Sequence, residues 1–219
     1  MIIAIDGPAG AGKSTISNEI ARRQGFQLVD TGAMYRTVAF EAARRDVDLG
    51  DADAVAKVAR SLDFEFRFEE GENVTYCDGR PLRQEIRTAQ VSHDASIVSA
   101  HPKVRDVLVE LQQQVGRERD SVLEGRDIGT VVFPDADVKL YITASAKVRA
   151  QRRVEQMRDQ GLEADFDEVY NEIVDRDRRD SERDVAPLRQ AEDAVRIDTS
   201  EMDIDEVLAR VEELVAQYS

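Results

Sequence analysis

Short apolar runs alternate with helix-like spacing along most of this chain. Residues 2–5 form one continuous apolar run, which is typical of a strand buried in a parallel sheet. Four more runs follow, at 26–29, 122–123, 138–142 and 195–197. Because stretches with helical spacing separate these runs, the pattern predicts an α/β fold, with a five-stranded parallel sheet flanked by helices.

Apolar residues recur every three or four positions in several of the stretches between the strands. This spacing predicts helices over 14–25, 33–45, 55–62, 104–115 and 204–215. The first of these helices is expected to stop at a glycine, the residue type that most readily adopts the left-handed conformation found after a helix end.

The periodicity changes at Asp63, after which three phenylalanines alternate with charged residues. The alternation indicates a strand with one buried face. Turn-forming residues follow at 70–73 and at 78–81, with a return strand between them. We therefore expect a small antiparallel β insertion over about 63–88, inside a single domain that covers 1–219.

The composition limits the class of partner. The 219 residues are 42% hydrophobic, which is enough to bury a core, and they carry a formal net charge of −15. A negative field of this size repels nucleic acid and anionic membranes, so we expect neither as a partner. Only five of the 30 basic residues are lysines, and the planar fork of arginine suits carboxylates and phosphates.

The cysteine content and the apolar runs bear on the cellular compartment. Cys77 is the single cysteine, which excludes an internal disulfide, and we expect it to be a small packing residue. The first residues lack the basic and apolar regions of a signal peptide. No apolar run approaches the roughly 20 residues needed to cross a bilayer. These features predict a cytoplasmic protein.

A phosphate-binding loop, G-x-x-x-x-G-K-[ST], is matched at every fixed position by the segment Gly7-Pro8-Ala9-Gly10-Ala11-Gly12-Lys13-Ser14. Glycines let backbone N–H groups turn toward phosphate oxygens, and the following helix places its positive end beneath the anion. An apolar strand directly before the loop and a helix directly after it support the assignment. We expect this segment, extended by Thr15, to bind ATP.

Two side chains of the loop have a predicted chemical role. Lys13 can reach the β- and γ-phosphates, and we expect its side chain to face solvent. Ser14 supplies a hydroxyl that can hold Mg²⁺, so the prediction includes magnesium as cofactor, with ATP as phosphoryl donor. The loop alone indicates nucleotide binding and leaves the reaction open.

The rest of the sequence favours a small kinase. The guanine-reading Asn/Thr-Lys-x-Asp element that a GTPase needs does not occur, and the chain is too short for a large motor or helicase. A kinase for a phosphorylated acceptor needs cations for two phosphate-bearing substrates and a lid that excludes water. The scattered arginines and the inserted β segment suit such an enzyme.

Several arginines lie where ligands bind in open α/β sheets, at the carboxyl ends of strands. Arg36 opens the helix after one predicted strand, and Arg126 directly follows another. Arg176, Asp180 and Arg183 have the spacing of one helix face. For this trio, a surface ladder of salt bridges and a ligand site both remain open interpretations of the spacing.

Four motifs resemble the bacterial cytidylate kinase family closely. They are the phosphate loop, DTGAMYR at 30–36, GRDIGTVVFP at 125–134, and RDRRD at 176–180 followed by VAPL at 185–188. The resemblance covers nearly the whole chain in order, and the third motif is far more specific than the phosphate loop. It implies a P-loop nucleoside monophosphate kinase fold, in which the β insertion binds the monophosphate and a short lid spans about 147–168.

The resemblance implies a site for CMP, extending to dCMP. Arg36, Arg126 and Arg183 would hold the α-phosphate, and Thr31 would add a hydroxyl where many members of the family carry serine. Tyr35 would lie beside the acceptor, although a place in the helix core suits it equally well.

The matching positions also imply how the nucleoside is recognised. Arg176 and Asp180 would bind the sugar hydroxyls. Ser96, Arg105 and Asp127 would read the edge of the cytosine base, with Ser96 and Asp127 accepting from its exocyclic amine. A carboxylate facing uracil would have no favourable partner, so the expected discrimination rests on a missing hydrogen bond.

The remaining implied roles concern the transfer step and the metal. Arg126 and Lys13 are expected to be catalytic, together with Arg149 or Arg153 as a lid arginine that stabilises charge on the transferring phosphoryl group. A solvated helix face is the alternative for these lid positions. Asp30 is expected to hold magnesium through a water molecule, alongside Ser14.

The predicted activity is therefore transfer of a phosphoryl group from ATP to CMP by a monomeric enzyme. Another small kinase, acting on UMP, dephospho-CoA, shikimate or gluconate, is the main alternative. A nucleotide-dependent switch without catalysis is a second alternative, but it should lack the second set of phosphate-binding arginines. A purely structural domain is the third, and the phosphate loop argues against it.

Overall fold

A computed structural model describes residues 1–159 and 161–218. The strands are β1 (Ile2–Asp6), β2 (Gln27–Asp30), β3 (Phe64–Glu69), β4 (Glu72–Cys77), β5 (Arg80–Leu82), β6 (Ser121–Gly125), β7 (Val138–Thr143) and β8 (Val195–Asp198). The α-helices are α1 (Lys13–Gln24), α2 (Thr31–Arg44), α3 (Ala52–Arg60), α4 (Ala89–Val98), α5 (Pro102–Arg117), α6 (Ala146–Asp159), α7 (Phe166–Glu182) and α8 (Ile204–Val215). A 3-10 turn covers Gln84–Ile86, and a π-helical segment covers Ile128–Val132.

The larger sheet confirms the predicted fold class. Its five strands occur in the order β2-β6-β1-β7-β8, and the pairs β1–β7, β7–β8 and β2–β6 are parallel. Each of the five apolar runs in the sequence forms one of these strands. The expected antiparallel insertion is also present, as the three-stranded sheet β3-β4-β5.

The described chain divides into two compact units. The first unit comprises residues 1–20 and 125–218, and it contains β1, β7 and β8. Ile5 pairs with Leu140 and Ile142 with Ile197, so the apolar runs form a core buried on both faces. Helix α8 begins with a capping box between Asp203 and Glu206.

The second unit comprises residues 21–124 and contains the parallel pair β2–β6 and the antiparallel insertion. Within it α2 packs against α4, and α3 packs against α5. Helix α4 was not predicted because 89–98 has no clear apolar stripe; only Ala95 and Val98 are buried, and Thr88 caps its start. Cys77 is a buried packing residue, and burial raises the pKa of its thiol to about 12.

The predicted lid span, 147–168, covers most of α6, the connection after it and the first turn of α7. Residue 160 belongs to this span but lies outside the described residues. Gly161 adopts a left-handed φ of 75°, and Asp165 caps α7 by accepting from two backbone N–H groups. Across the described parts of α6 and α7, Ala150 and Ile173 belong to a shared apolar core.

No helix among residues 1–159 and 161–218 combines the length and apolar character needed to span a bilayer.

Candidate active site

The backbone of the phosphate loop has a conformation that glycine adopts readily and other residues do not. Gly7, Gly10 and Gly12 all adopt positive φ, at 146°, 76° and 92°. At Gly7 a Cβ atom would lie 1.9 Å from the carbonyl oxygen of Ile142, so only glycine fits there. Helix α1 begins at Lys13, which places its positive end at the loop, as an anion site requires.

Lys13 corrects one sequence-based expectation. Its side chain does not face solvent: the residue is only 7% exposed, and its Nζ donates to the carbonyl oxygen of Pro8 at 2.8 Å. The lysine therefore folds back over the loop because a nearby carbonyl accepts from its ammonium group. This places a positive charge inside the curve of the phosphate loop.

Arg149 supports the phosphate loop from helix α6. The guanidinium is almost fully buried and donates to the carbonyl oxygens of Ala9, at 3.1 Å, and Ala144, at 2.9 Å. It also forms a two-pronged pair with Asp177 of α7, at 3.0 and 2.5 Å. One arginine thus connects the loop to α7, which is the helix that carries Arg176.

The neighbouring arginines of α6 occupy different environments. Arg152 donates to the hydroxyl and carbonyl oxygens of Thr199, and the Thr199 hydroxyl donates to the carbonyl oxygen of Ala11 in the phosphate loop. Arg153 is exposed and donates to the side chain of Gln156. Of the two predicted lid arginines, Arg149 is thus engaged with the loop, while Arg153 lies at the surface.

Five predicted site residues of the first unit form two groups of ion pairs, together called the arginine cluster: Arg126 and Arg176 with Asp180, and Arg183 with Asp127. Arg126 follows β6 and donates through its Nε to Asp180 at 3.0 Å, while the Nε of Arg176 lies 4.0 Å from the same carboxylate. The guanidinium of Arg183 lies 3.5 Å from Asp127. Three guanidinium groups lie in this cluster, and their planar forks suit an anionic ligand.

The structure also corrects the predicted helix face. Arg176 and Asp180 lie one turn apart on α7, but the helix ends at Glu182, and Arg183 is its extended C-terminal cap. The Nε of Arg183 donates to the carbonyl oxygen of Ala186 at 2.6 Å. The Arg183 side chain is only 13% exposed and lies 3.5 Å from Asp127, which does not suit the surface ladder that the spacing had left open.

Asp6 is a buried carboxylate that the sequence reasoning did not assign to the site. Its two oxygens accept from the backbone N–H groups of Ile128 and Gly129, each at 2.8 Å. Burial raises the pKa of Asp6 to about 6; the two N–H bonds oppose this rise, the nearby Asp127 adds to it and Lys13 reduces it. The available signal was an acid at the end of a buried apolar strand.

In the second unit, the predicted residues at the start of α2 surround Asp30. Its carboxylate caps the helix by accepting from the N–H of Ala33 at 2.8 Å, and it pairs with Arg36 at 2.9 Å. Thr31 donates its hydroxyl to the carbonyl oxygen of Glu124 at 2.7 Å. Helix capping and ion pairing thus fix the positions of the carboxylate and the arginine.

The other predicted residues of this unit lie on three helices. The guanidinium of Arg105, on α5, lies 5.7 Å from the centre of the Tyr35 ring on α2, and Arg105 is almost fully buried. Ser96 lies on α4, where its hydroxyl donates to the carbonyl oxygen of Ser92. Tyr35 therefore contacts a residue that is predicted to read the base.

Three further residues were missed by sequence reasoning. Asp177 pairs with Arg149, and Thr199 bonds the phosphate loop. Glu124 is buried at the end of β6, directly before the GRDIGTVVFP motif. Of these, only Glu124 had a signal in the sequence, namely an acid at the end of an apolar run.

The predicted magnesium ligands offer oxygen atoms, the donor type that this ion prefers. Ser14 is exposed at the start of α1, and each carboxylate oxygen of Asp30 already accepts one hydrogen bond. Because a carboxylate oxygen has a second lone pair, Asp30 can still accept from a metal-bound water. The described residues contain no group of three or more acidic, histidine or cysteine side chains arranged for direct metal ligation. The donor set therefore fits an ion held mainly by water and nucleotide phosphates.

Comparison with known proteins gives one family. The family model described as cytidylate kinase matches residues 3–217. A cytidylate kinase from Shouchella clausii (strain KSM-K16) is 41% identical over 99% of this chain and 96% of its own length. A cytidylate kinase from Caldanaerobacter subterraneus subsp. tengcongensis is 43% identical over 97% of this chain and 93% of its own length.

Among solved structures, the fold resembles that of a shikimate kinase from Bacteroides thetaiotaomicron. The TM-score is 0.52, with 12% identity, over 99% of this chain and 98% of that one. At this identity the likeness concerns the fold, and it agrees with a parallel sheet that carries a phosphate loop.

Proposed function

This chain belongs to the cytidylate kinase family, and we propose from that premise that it transfers the γ-phosphate of ATP to CMP, giving CDP and ADP. The observation that carries the proposal is the family match over residues 3–217, which includes every proposed site residue. We extend the proposal to dCMP as acceptor, to a monomeric enzyme and to a cytoplasmic location.

The phosphate loop is proposed to bind ATP through the segment 7–15. Its glycines allow a backbone curve that side chains would block, and α1 begins directly at Lys13. The inward position of this lysine supports its role in neutralising charge on the β- and γ-phosphates during transfer. Arg149 and Thr199 would keep the loop in shape through the carbonyl oxygens of Ala9 and Ala11.

The α-phosphate of CMP is proposed to bind Arg36, Arg126 and Arg183, with Thr31 adding a hydroxyl. Each of these arginines already faces a carboxylate that restricts its guanidinium, so little side-chain entropy is lost on binding. Arginine suits this role because its planar fork can bind two phosphate oxygens together. An acceptor phosphate is ionised at neutral pH, so the reaction needs positioning more than a strong base.

The cytosine base is proposed to be read by Ser96, Arg105 and Asp127. Asp127 and Ser96 would accept from the exocyclic amine, and Arg105 would donate to the O2 and N3 side of the ring. Tyr35 is proposed to lie beside the acceptor, and its contact with Arg105 would hold that guanidinium in place. Uracil presents an oxygen where cytosine presents an amine, so a carboxylate there would disfavour UMP.

The sugar hydroxyls are proposed to bind Arg176 and Asp180. Asp180 also pairs with Arg126, so one carboxylate would connect the sugar with the phosphate-binding arginine. Because Arg126 belongs to this network, we assign it to catalysis as well as to binding.

Magnesium is proposed to be held by the Ser14 hydroxyl and, through water, by Asp30. When bound, the ion would shield charge between the β- and γ-phosphates. Within the proposed lid, 147–168, the exposed Arg153 is the better candidate to close over the transferring group. Arg149 would instead hold the phosphate loop in shape, through its hydrogen bond to the carbonyl oxygen of Ala9.

Release of ADP in the presence of each common nucleoside monophosphate, with shikimate, gluconate and dephospho-CoA as further acceptors, tests this function. We expect the highest kcat/KM with CMP, followed by dCMP, and little turnover with the others. Faster turnover with UMP or with a non-nucleotide acceptor would contradict the proposal. ADP release that needs no acceptor would indicate a nucleotide-dependent switch.

A further inference from the structure

Asp6 connects the strand before the phosphate loop with the segment that carries two proposed CMP-binding residues. The residue is 4% exposed and precedes Gly7 directly. Its carboxylate oxygens each accept one backbone N–H, from Ile128 and Gly129, at 2.8 Å. These N–H groups follow Arg126 and Asp127 immediately in the chain.

The bonded segment is held at its other side as well. The carbonyl oxygen of Asp127 accepts from the N–H groups of Val131 and Val132, at 2.9 and 3.2 Å. Residues 126–129 are therefore fixed between the end of β6 and the π-helical segment by bonds on both sides. The Asp6 carboxylate is the side chain that fixes this backbone from the direction of the phosphate loop.

Burying a carboxylate at this position costs free energy. Ile3, Ala4 and Ile5 of β1 are apolar and buried, and burying a charge is costly unless strong hydrogen bonds compensate. An apolar side chain would suit the strand better, but it could not accept from two neighbouring N–H groups. The retained charge thus points to a role outside the packing of β1.

We propose that Asp6 is a positioning residue for phosphoryl transfer, which holds the backbone of Arg126 and Asp127 in register with the phosphate loop. This inference rests on the proposed function, since it assigns to Asp6 the alignment of the two substrates. A displacement of about 1 Å at such a site can cost up to about a hundredfold in rate, so the fixed backbone has a functional value.

Asp6→Asn provides the main test. The amide keeps the size of the side chain, but its NH₂ group faces one of the two N–H donors, so the segment must shift. We expect kcat/KM for CMP to fall by about tenfold or more, with a raised KM for CMP. The ratio of kcat/KM for CMP over UMP should also fall, because Asp127 moves with the segment. In the double variant with Asp127→Ala, this ratio should equal that of Asp127→Ala alone.

Gly129→Ala tests the same contact without removing charge. An added Cβ would lie 3.2 Å from Cδ of Lys139, which is tighter than an ordinary contact, whereas its 3.5 Å distance to Oδ2 of Asp6 is ordinary. Because the ammonium group of Lys139 is held by Pro134 and Asp193, the crowding displaces the segment that Asp6 binds. We expect the same direction of change in the KM for CMP and in the CMP over UMP ratio. This variant decides the question if Asp6→Asn does not fold.

Asp203→Ala is the matched control. It removes another carboxylate of the first unit that accepts a backbone N–H, at the start of α8, and lies outside the proposed site. We expect a lower melting temperature with unchanged KM and selectivity. If Asp6→Asn and Gly129→Ala behave like this control, Asp6 is only structural and the inference is overturned. A wild-type protein that forms no CDP would instead refute the proposed function itself.

Discussion

Two regions of the molecule contain arginine–carboxylate pairs and use them differently. In the antiparallel insertion, Arg67 contacts Glu65 at 2.6 Å and Arg83 contacts Glu69 at 2.7 Å. The pairs of the arginine cluster are longer, from 3.0 Å to 4.0 Å. Judged by distance alone, the insertion has the stronger interactions.

The burial of the side chains reverses that judgement. The side chains of Arg67 and Glu65 are 47% and 54% exposed, whereas those of Arg183 and Asp127 are 13% and 8% exposed. A shielded group of guanidiniums can bind an anion strongly, whereas a solvated ion pair contributes little. The comparison therefore separates the shielded pairs of the candidate site from two solvated pairs of the insertion.

The largest expected effect comes from comparing a buried lysine with an exposed one. Lys13→Ala should lower kcat by at least about a thousandfold, because a buried ammonium that neutralises developing phosphate charge is lost. Lys103→Ala removes an exposed lysine paired with Asp53 and should leave kcat unchanged. Steady-state kinetics at saturating ATP, on variants checked for folding by circular dichroism, measure both. Substantial turnover by a folded Lys13→Ala protein would break the comparison.

The next effect concerns two carboxylates with opposite pKa shifts. Burial raises the pKa of Asp6 to about 6, whereas the hydrogen bond from Arg67 lowers the pKa of the exposed Glu65. An acid with a raised folded-state pKa stabilises the fold most at low pH, and this contribution is lost as the pH rises from 3.8 to about 6. Relative to Asp6→Asn, the wild type should lose about 3 kcal/mol of unfolding free energy over that window.

Urea denaturation of both proteins, from about pH 4 to about pH 7, measures this difference. The pH-independent loss of hydrogen bonding in the variant shifts its curve without changing its slope. Parallel pH profiles for wild type and variant would show that Asp6 titrates normally.

A third prediction compares arginines of the two regions directly. Arg183→Lys should lower kcat/KM for CMP by about tenfold to a hundredfold, since a point charge cannot replace a two-pronged fork on a phosphate. Arg67→Lys makes the same change at a solvated pair of the insertion, where no contact with CMP is assigned to the arginine, and should not alter the kinetics. Equal kinetics in the two variants would favour a salt bridge without function at Arg183.

The smallest effect concerns selectivity for the base. Asp127→Ala should lower kcat/KM for CMP more than for UMP, by about 1–3 kcal/mol, the range of a hydrogen bond to a charged group. Asp127→Asn should shift the ratio further toward UMP, because an amide can donate to the uracil oxygen. If activity falls equally with both substrates, Asp127 serves the loop or the metal and not the base.

The fold could be predicted well from the sequence, because buried strands leave short apolar runs and the insertion leaves an alternating pattern. Helix α4 was not predicted, because few of its residues are buried and its apolar spacing is weak. The end of α7 was misjudged because spacing alone does not reveal where a helix stops, and Arg183 lies just past that end.

The candidate site was predictable where residue type and motif coincide, as at the phosphate loop and Arg126. Its supporting contacts were not predictable, because they join residues far apart in sequence. Arg149 reaches Ala9 and Asp177, and Asp6 reaches Ile128, through partners that only the folded chain brings together. The inward fold of Lys13 depends on a carbonyl oxygen that no motif records.

The most direct test of the account follows the γ-phosphate itself. ATP labelled at this position is incubated with the wild-type protein, magnesium and CMP, and the labelled products are separated. We expect the label to appear in the β-phosphate of CDP, in amounts equal to the ADP formed, and to be absent with Lys13→Ala. Label released as inorganic phosphate, or label that remains in ATP while the protein is folded, would contradict the account.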